Sequence, residues 1–330
     1  MRLVARRIVS TWKDGSWLGE AFLDDDGFGT TNIAIRARVT KQGETLTVDL
    51  SESDKQAPSF VNSSYPNMIS AVRMAFAFLL DPEVAKNQGA FRPLTVIARE
   101  GTIVWAREGA PVTMCTSHCS NEIVEAVTKA LANSCPDRAT GGWGRRFRVA
   151  IKGSDKRRPG RSFVWHLFHA RPGGGGSSGG DGWSTAGEWH SAGGLKFGSV
   201  EMAEARFPLF FRKHEFRPDS GGDGEHRGGL GTIREYEVLV DDVSFTHRGE
   251  RHYSAPQGLF GGKEAARARS VIHRRDGTQE EIPSKIVTRL NKGDRVVIET
   301  AGGGGYGEPA RRSAEARAAD RADGKITAAD

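Results

Sequence analysis

The stretch HARPGGGGSSGGDGWSTAGEWHSAGGLKFGSVEMAEARFPLFFRKHEFRPDSGGDGEHRGGLG, residues 169–231, decides how this chain is read. Two glycine-rich runs, 173–182 and 221–231, bracket a segment that holds His190, Glu201, Glu204, Arg206, Arg217 and Asp219. Glycine at this density reads as loop rather than core, because it adopts backbone conformations that other residues avoid. Ionisable side chains among such loops point to function, since binding and catalytic groups concentrate on loops held by a rigid scaffold. Trp183, Trp189, Phe207 and Phe210 separate the segment from a Gly/Ser linker, which carries no large apolar side chains.

Outward from this segment, the 330 residues suffice for one large domain or two ordinary ones. Apolar residues make up 37%, and the 42 glycines explain part of the shortfall from a typical globular chain. The net charge of +6 arises from 47 basic against 41 acidic residues, and the basic clusters are short and scattered. A nucleic-acid groove interleaves basic residues with aromatics along one face, a pattern this chain lacks. The N-terminal MRLVARR has charge but no apolar core of a signal peptide, and no window has the length of a membrane span. Three cysteines, an odd number, argue against a disulfide framework, and the expected compartment is cytoplasmic.

Residues 12–30 read as a turn-rich acidic loop whose run Asp24-Asp25-Asp26 is solvated, with a hard cation as the alternative. Ile33, Ile35, Ala37 and Val39 alternate with more polar neighbours. After Gln42-Gly43, Leu46, Val48 and Leu50 alternate back, which predicts an antiparallel hairpin. Residues 66–80 predict a helix apolar nearly all round and hence buried. Residues 93–106 predict two short strands, and 121–134 a helix capped by Ser120 or Asn121. Residues 147–151 and the apolar run 162–168 predict strands, the second a central one. Five further strands are expected over 233–240, 243–248, 270–274, 285–290 and 295–300, with a charged helical tail at 311–323. The fold class is therefore mixed α/β (α+β): antiparallel-rich sheets, a few buried helices and a β-rich C-terminal module. The expected division is 1–168, a glycine-rich loop segment 169–231, the module 232–310 and the tail 311–330.

Some motifs fail on context. Gly302, Gly304 and Gly307 satisfy G-x-G-x-x-G, but Glu308-Pro309 follows and no βα unit succeeds it, so the dinucleotide reading falls. No G-x-x-x-x-G-K-[ST] or H-E-x-x-H occurs. Cys115, His118 and Cys119 are the nearest approach to a metal cluster, yet C-x-x-H-C lacks a second pair of ligands. Cys119 at a helix N-terminus offers an alternative as an activated thiolate.

The segments DGSWLGEAFLDDDG (14–27), NQGAFRPLTVIAREGT (87–102), VEMAEARFPL (200–209), RPDSGGDGEHRGGLG (217–231), GLFGGK (258–263) and ETAGGGGYGEP (299–309), in this order and at these separations, resemble the hydantoinase B / oxoprolinase family. The resemblance covers essentially the whole chain. It implies ATP-dependent hydrolysis of cyclic amides, as in 5-oxoprolinase, N-methylhydantoinase and caprolactamase, or carboxylation, as in acetone and acetophenone carboxylases. A non-catalytic fragment that keeps only the fold and partner interface is the remaining alternative. The resemblance also implies a hydantoinase A-type partner that binds ATP, in line with the lack of a P-loop here. Family members of this type begin well upstream of the segment matched by residues 1–27. The expectation is therefore that an N-terminal portion, carrying His- and Asp-rich motifs for a divalent metal, precedes this chain. The CTSHC segment departs from relatives, which tend to be rich in glycine and asparagine there.

Several residues in these segments are candidates for a site. His169 is the candidate acid/base, since imidazole titrates near neutral pH. Asp181 and His190 are candidates to orient substrate or water. Glu204 and Arg206 are expected to bind substrate or to pin the loop as an ion pair. Arg217 and Asp219 match the family's RPDSGG and Arg227 its RGGLG, and the RPDSGG turn reads first as architecture, with Pro218 fixing φ.

Overall fold

A computed structural model describes residues 2–158, 160–167, 171–185 and 198–327. The chain forms two compact units, residues 1–140 and 141–330. The mixed α/β class holds, with three sheets that are antiparallel except for one strand pair.

In the first unit, helix α1 (Arg2–Ser10) precedes strands β1 (Gly15–Asp25), β2 (Thr31–Gln42), β3 (Thr45–Asp49) and β4 (Leu94–Ile97), which form a sheet in the order β1-β2-β3-β4. The β2–β3 hairpin turns where expected, at Gly43 with φ +56°. Helices α2 (Tyr65–Leu79) and α3 (Ser120–Leu131) match the predicted helices closely. α3 lies against β1 so closely that a Cβ on Gly19 would stand 2.0 Å from the Ala126 carbonyl oxygen. Three expectations are corrected. Residues 15–25 form a long strand rather than a loop. Asp24, Asp25 and Asp26 are buried rather than solvated, because local backbone donors fold onto them: Gly27 N–H on Asp25 Oδ1 (2.7 Å), and Phe28 and Thr30 N–H on Asp26 Oδ1 (2.7 and 3.0 Å). The second strand expected in 93–106 reduces to isolated bridges, Lys55 to Thr102 and Thr102 to Trp105.

The second unit holds two antiparallel sheets. One runs β12-β9-β5-β6, from β5 (Arg148–Ser154), β6 (Ser162–Leu167), β9 (Val243–Arg248) and β12 (Lys285–Leu290). The other runs β11-β10-β13-β8-β7, from β7 (Leu209–Phe216), β8 (Thr232–Val238), β10 (Arg269–His273), β11 (Gln279–Glu281) and β13 (Arg295–Glu299). β6, expected to be central, is an edge strand. Helix α4 (Val200–Arg206) and β7 lie inside the stretch read as loop. Between the sheets Trp165 meets Phe211 and Tyr236 edge-on, with ring centroids 5.6 and 5.7 Å apart.

Strand β9 alternates Val243, Phe245 and His247 inward. The His247 ring is fully buried among Phe147, Phe245 and His252, and it feels the Lys285 ammonium, itself paired to Glu250 at 2.8 Å. Neither ring nitrogen has a hydrogen-bond partner among the described residues. Burial first, then His252 and Lys285, hold its pKa well below the usual 6.5. The folded chain thus keeps His247 neutral, while the unfolded chain takes up a proton as pH falls through about 6.5. Folding stability is expected to drop by about 1.4 kcal/mol per pH unit below that value from this residue alone. Denaturant titrations between pH 7.5 and 5 check this: His247→Leu should remove about one proton's worth of slope, and an unchanged slope contradicts the assignment.

The glycine runs form the remainder of the second unit, and here the sequence expectation fails outright: these glycines are core. Segments 141–144, 173–176, 220–231, 256–263 and 301–307 are joined to one another by backbone hydrogen bonds. Gly229 N–H donates to Gly174 O (2.8 Å), Gly303 to Gly229 (2.8 Å), Gly222 to Gly303 (2.9 Å) and Gly228 to Gly222 (2.9 Å). Gly173, Gly174, Gly222, Gly228, Gly229 and Gly303 are all buried. A Cβ on Gly228 would lie 1.7 Å from Gly303 O, and one on Gly303 1.8 Å from Gly174 O. Glycine serves here as the only residue thin enough for backbone to pack on backbone, the logic that puts glycine at the axis of collagen.

Candidate functional site

The polar rim of this glycine bundle joins two of the candidate residues, Asp181 and Arg227, to the C-terminal tail. Pro309–Arg311 makes a 3₁₀ turn, and helix α5 (Ala314–Ala322) follows, its N-terminus capped by Ser313, whose Oγ accepts from Ala316 N–H at 3.1 Å. This tail straps back over the bundle. Arg312 donates to both oxygens of Asp181 (2.7 and 2.8 Å) and from Nε to Asp320 Oδ2 (3.0 Å). Asp320, 3% exposed, also receives Arg227 Nε at 3.3 Å, and Arg227 Nη1 donates to Gly228 O. Arg227 N–H in turn donates to Asp181 Oδ1 at 2.8 Å. Asp181, Arg312, Asp320 and Arg227 are thus one network. Burial raises the Asp181 pKa, but the Arg312 bonds and then the Arg227 N–H outweigh it, so the carboxyl titrates below the usual range. Asp181 is a fixed anion under a bidentate clamp, suited to shaping a wall rather than to carrying protons.

Beside this network lies a recess of about 290 Å³ lined by Ser178, Glu225, His226, Phe260, Tyr306 and Arg311. His226 and Tyr306 exchange backbone hydrogen bonds (3.0 and 2.9 Å), and Phe260 stands edge-on to Tyr306 with centroids 5.3 Å apart. Arg311 Nε pairs with Glu225 at 3.1 Å. Phe260 has φ +51°, a conformation a bulky side chain rarely takes outside a constrained site. Three of the sequence segments singled out above, 217–231, 258–263 and 299–309, meet in this recess. Sequence reasoning missed His226. Its signal was visible: an imidazole set within a run of glycines, where nothing packs for its own sake.

The other candidates disperse. Arg217 donates to the carbonyls of Arg267 (2.6 Å) and Thr300 (3.1 Å), and burial lowers its pKa. Asp219, at φ +58°, accepts from Thr327 N–H (2.8 Å) and from the Thr327 hydroxyl, so it anchors the tail. A second cavity, about 380 Å³, has Asp219, Asp223, Arg227, Glu264, Arg317 and Asp320 in its walls. Glu204 makes no ion pair with Arg206. It instead accepts from Phe211 N–H at 2.7 Å and so ties α4 to β7, while Arg206 lines a separate groove with Asp155, Arg158 and Phe163. His169 and His190 lie outside the described residues.

Cys115, His118 and Cys119 sit in one π-helical turn of the first unit. The Cys119 thiol is buried and donates to Ile103 O at 3.4 Å, and His118 Nδ1 lies 3.1 Å from Ser117 Oγ. This turn does not fit a metal, and among the described residues no three His, Cys, Asp or Glu side chains are grouped to hold one. No step is assigned to a metal in this chain. Among the described residues no helix is long and apolar enough to cross a membrane.

A family model described as hydantoinase B/oxoprolinase matches residues 1–309. The beta subunit of caprolactamase from Pseudomonas jessenii is 32% identical, over 98% of this chain and 56% of its own. The B-type component of a putative D-/L-hydantoinase from a Pseudomonas species (strain NS671) is 29% identical, over 98% of this chain and 55% of its own. The crystal structure of the ATP-dependent caprolactamase from P. jessenii superposes with a TM-score of 0.88 at 29% identity, over 99% of this chain and 57% of that one. A nucleotide-free acetone carboxylase shares the fold at a TM-score of 0.85 and 20% identity, over 98% of this chain and 49% of that one. The chain spans about half the length of these relatives.

Proposed function

Because this chain belongs to the hydantoinase B/oxoprolinase family, we propose that it is the hydantoinase B-type part of an ATP-dependent enzyme that opens small cyclic amides, acting with a hydantoinase A-type partner that binds ATP. The observation that carries this reading is the likeness to an ATP-dependent caprolactamase over 99% of the chain at a TM-score of 0.88. The chemistry is consistent. An unstrained lactam resists water at neutral pH, and phosphorylating its oxygen creates a leaving group and an electrophilic carbon. The nucleotide belongs to the partner in this scheme, since the chain has no P-loop. The substrate class includes hydantoins, 5-oxoproline and caprolactam.

Within this reading His169 handles the proton of the attacking water and His190 orients it. Asp181, clamped by Arg312 and bonded by the Arg227 N–H, shapes a polar wall of the site, Asp219 anchors the tail that carries Arg312, and Glu204 and Arg217 brace other parts of the unit. The test is reconstitution with a hydantoinase A-type partner, followed by release of ADP and of the ring-opened amino acid. His169→Gln should lower kcat by about 10²-fold or more, with KM little changed. A complex that forms but turns over none of the three substrate types with ATP present would remove the proposal.

A further inference from the structure

Arg234, on β8, is fully buried, yet among the described residues it has no carboxylate partner. Its cross-strand neighbours are His214 on β7 and Ile298 on β13. Nη2 lies against the His214 ring, 2.8 Å from Nε2, and the guanidinium stands over the Phe211 ring at 5.3 Å. Nε and Nη1 reach no acceptor among the described residues, and neither does the buried hydroxyl of Tyr236, two residues along the same face. Other buried arginines of this unit are served differently: Arg227 meets Asp320, and Arg251 donates to the Trp143 carbonyl from Nε and Nη2 (3.1 and 2.9 Å). Burying a cation with its donors idle is costly. Burial pushes the Arg234 pKa down to about 9, with Tyr236 pulling only partly the other way.

Two features set this group close to the edge of its sheet. β7 is the edge strand of its sheet, and its register with β8 shifts between Phe211 and Lys213. Such bulges re-aim side chains and occur beside binding sites. His214, which covers Arg234, is itself exposed. We propose that Arg234 and Tyr236 form a receiving site for a small carboxylate, entered past the His214 ring at the open edge of β7. A carboxylate offers about four lone-pair directions on two oxygens, which matches idle donors on Nε, Nη1 and the phenol. The charge-assisted bonds replace the water that the guanidinium has lost. The site stands on geometry alone and does not depend on the cyclic-amide reading.

The test uses the full chain with acetate as probe, acetamide as its neutral isostere, and sodium chloride to hold ionic strength constant. Acetate binds only the folded site and so raises Tm in a saturable way. A rise of a few degrees is expected with acetate and none with acetamide. Arg234→Met should abolish the response. Tyr236→Phe, which deletes one hydroxyl, should weaken the apparent acetate affinity about tenfold or more and serves if Arg234→Met fails to fold. The proposal is overturned if acetate acts no differently from acetamide on the natural chain, or if either variant keeps the natural response.

Discussion

Gly228→Ala is expected to leave residues 141–330 unable to reach the native fold. The added methyl would stand 1.7 Å from Gly303 O and 3.0 Å from Gly304 O. Ordinary overpacking costs about 1–3 kcal/mol because side chains rotate aside. Here the obstacle is a peptide carbonyl on the very segment whose Gly303 N–H is bonded to Gly229 O at 2.8 Å, so relief requires parting the bundle. The loss should exceed that range and consume most of the stability of a typical domain. Soluble yield and a cooperative unfolding transition are the readouts. Gly179→Ala is the control, since its Cβ would meet nothing nearer than Ser177 Oγ at 3.7 Å, and it should shift stability by under about 0.5 kcal/mol. A soluble Gly228→Ala protein with natural Tm would refute the backbone-packed core.

The glycine result shows where reading the sequence stops. Alternation found the β2–β3 hairpin and the strands β8, β9, β10, β12 and β13, because each buries one face locally. Helical periodicity found α2 and α3 for the same reason. Burial of glycine has no local signature: a run that packs on other runs and a run in solvent have the same composition. The same density hid α4 and β7, which sit between two such runs. Asp24–Asp26 looked solvated because carboxylates usually are, and their backbone donors at Gly27, Phe28 and Thr30 appear only once the turn has closed. Among the site residues, Asp181 and Arg227 were found as members of glycine motifs. Their connection to each other and to Arg312 was not legible, because it spans up to 131 residues of sequence. Asp320 falls within the charged tail helix, and a charged helix of nine residues reads the same whether one of its carboxylates is buried or not.

That buried carboxylate leads to the second large effect. Asp320→Ala should cost about 3–5 kcal/mol, the usual penalty for removing one partner of a buried ion pair. The reason lies in what remains. Arg312 keeps both bonds to Asp181, but Arg227, 4% exposed, keeps only the Gly228 carbonyl for its side chain among the described residues. An uncompensated guanidinium would then sit against the glycine bundle, and the tail would lose one of its anchors, the others including Arg312 on Asp181, Arg311 on Glu225 and Asp219 on Thr327. Amide exchange across 309–327 should therefore accelerate well beyond that of β8 or β13, with the stability loss measured by denaturant titration. Arg312→Ala should cost less, because Asp320 keeps Arg227. The double variant Arg227→Met/Asp320→Leu separates charge from packing: with both ions gone, most of the stability should return. If Asp320→Ala loses less than about 1 kcal/mol, the pair is an ordinary surface contact, and the strap that walls the Asp181 site is held by something else.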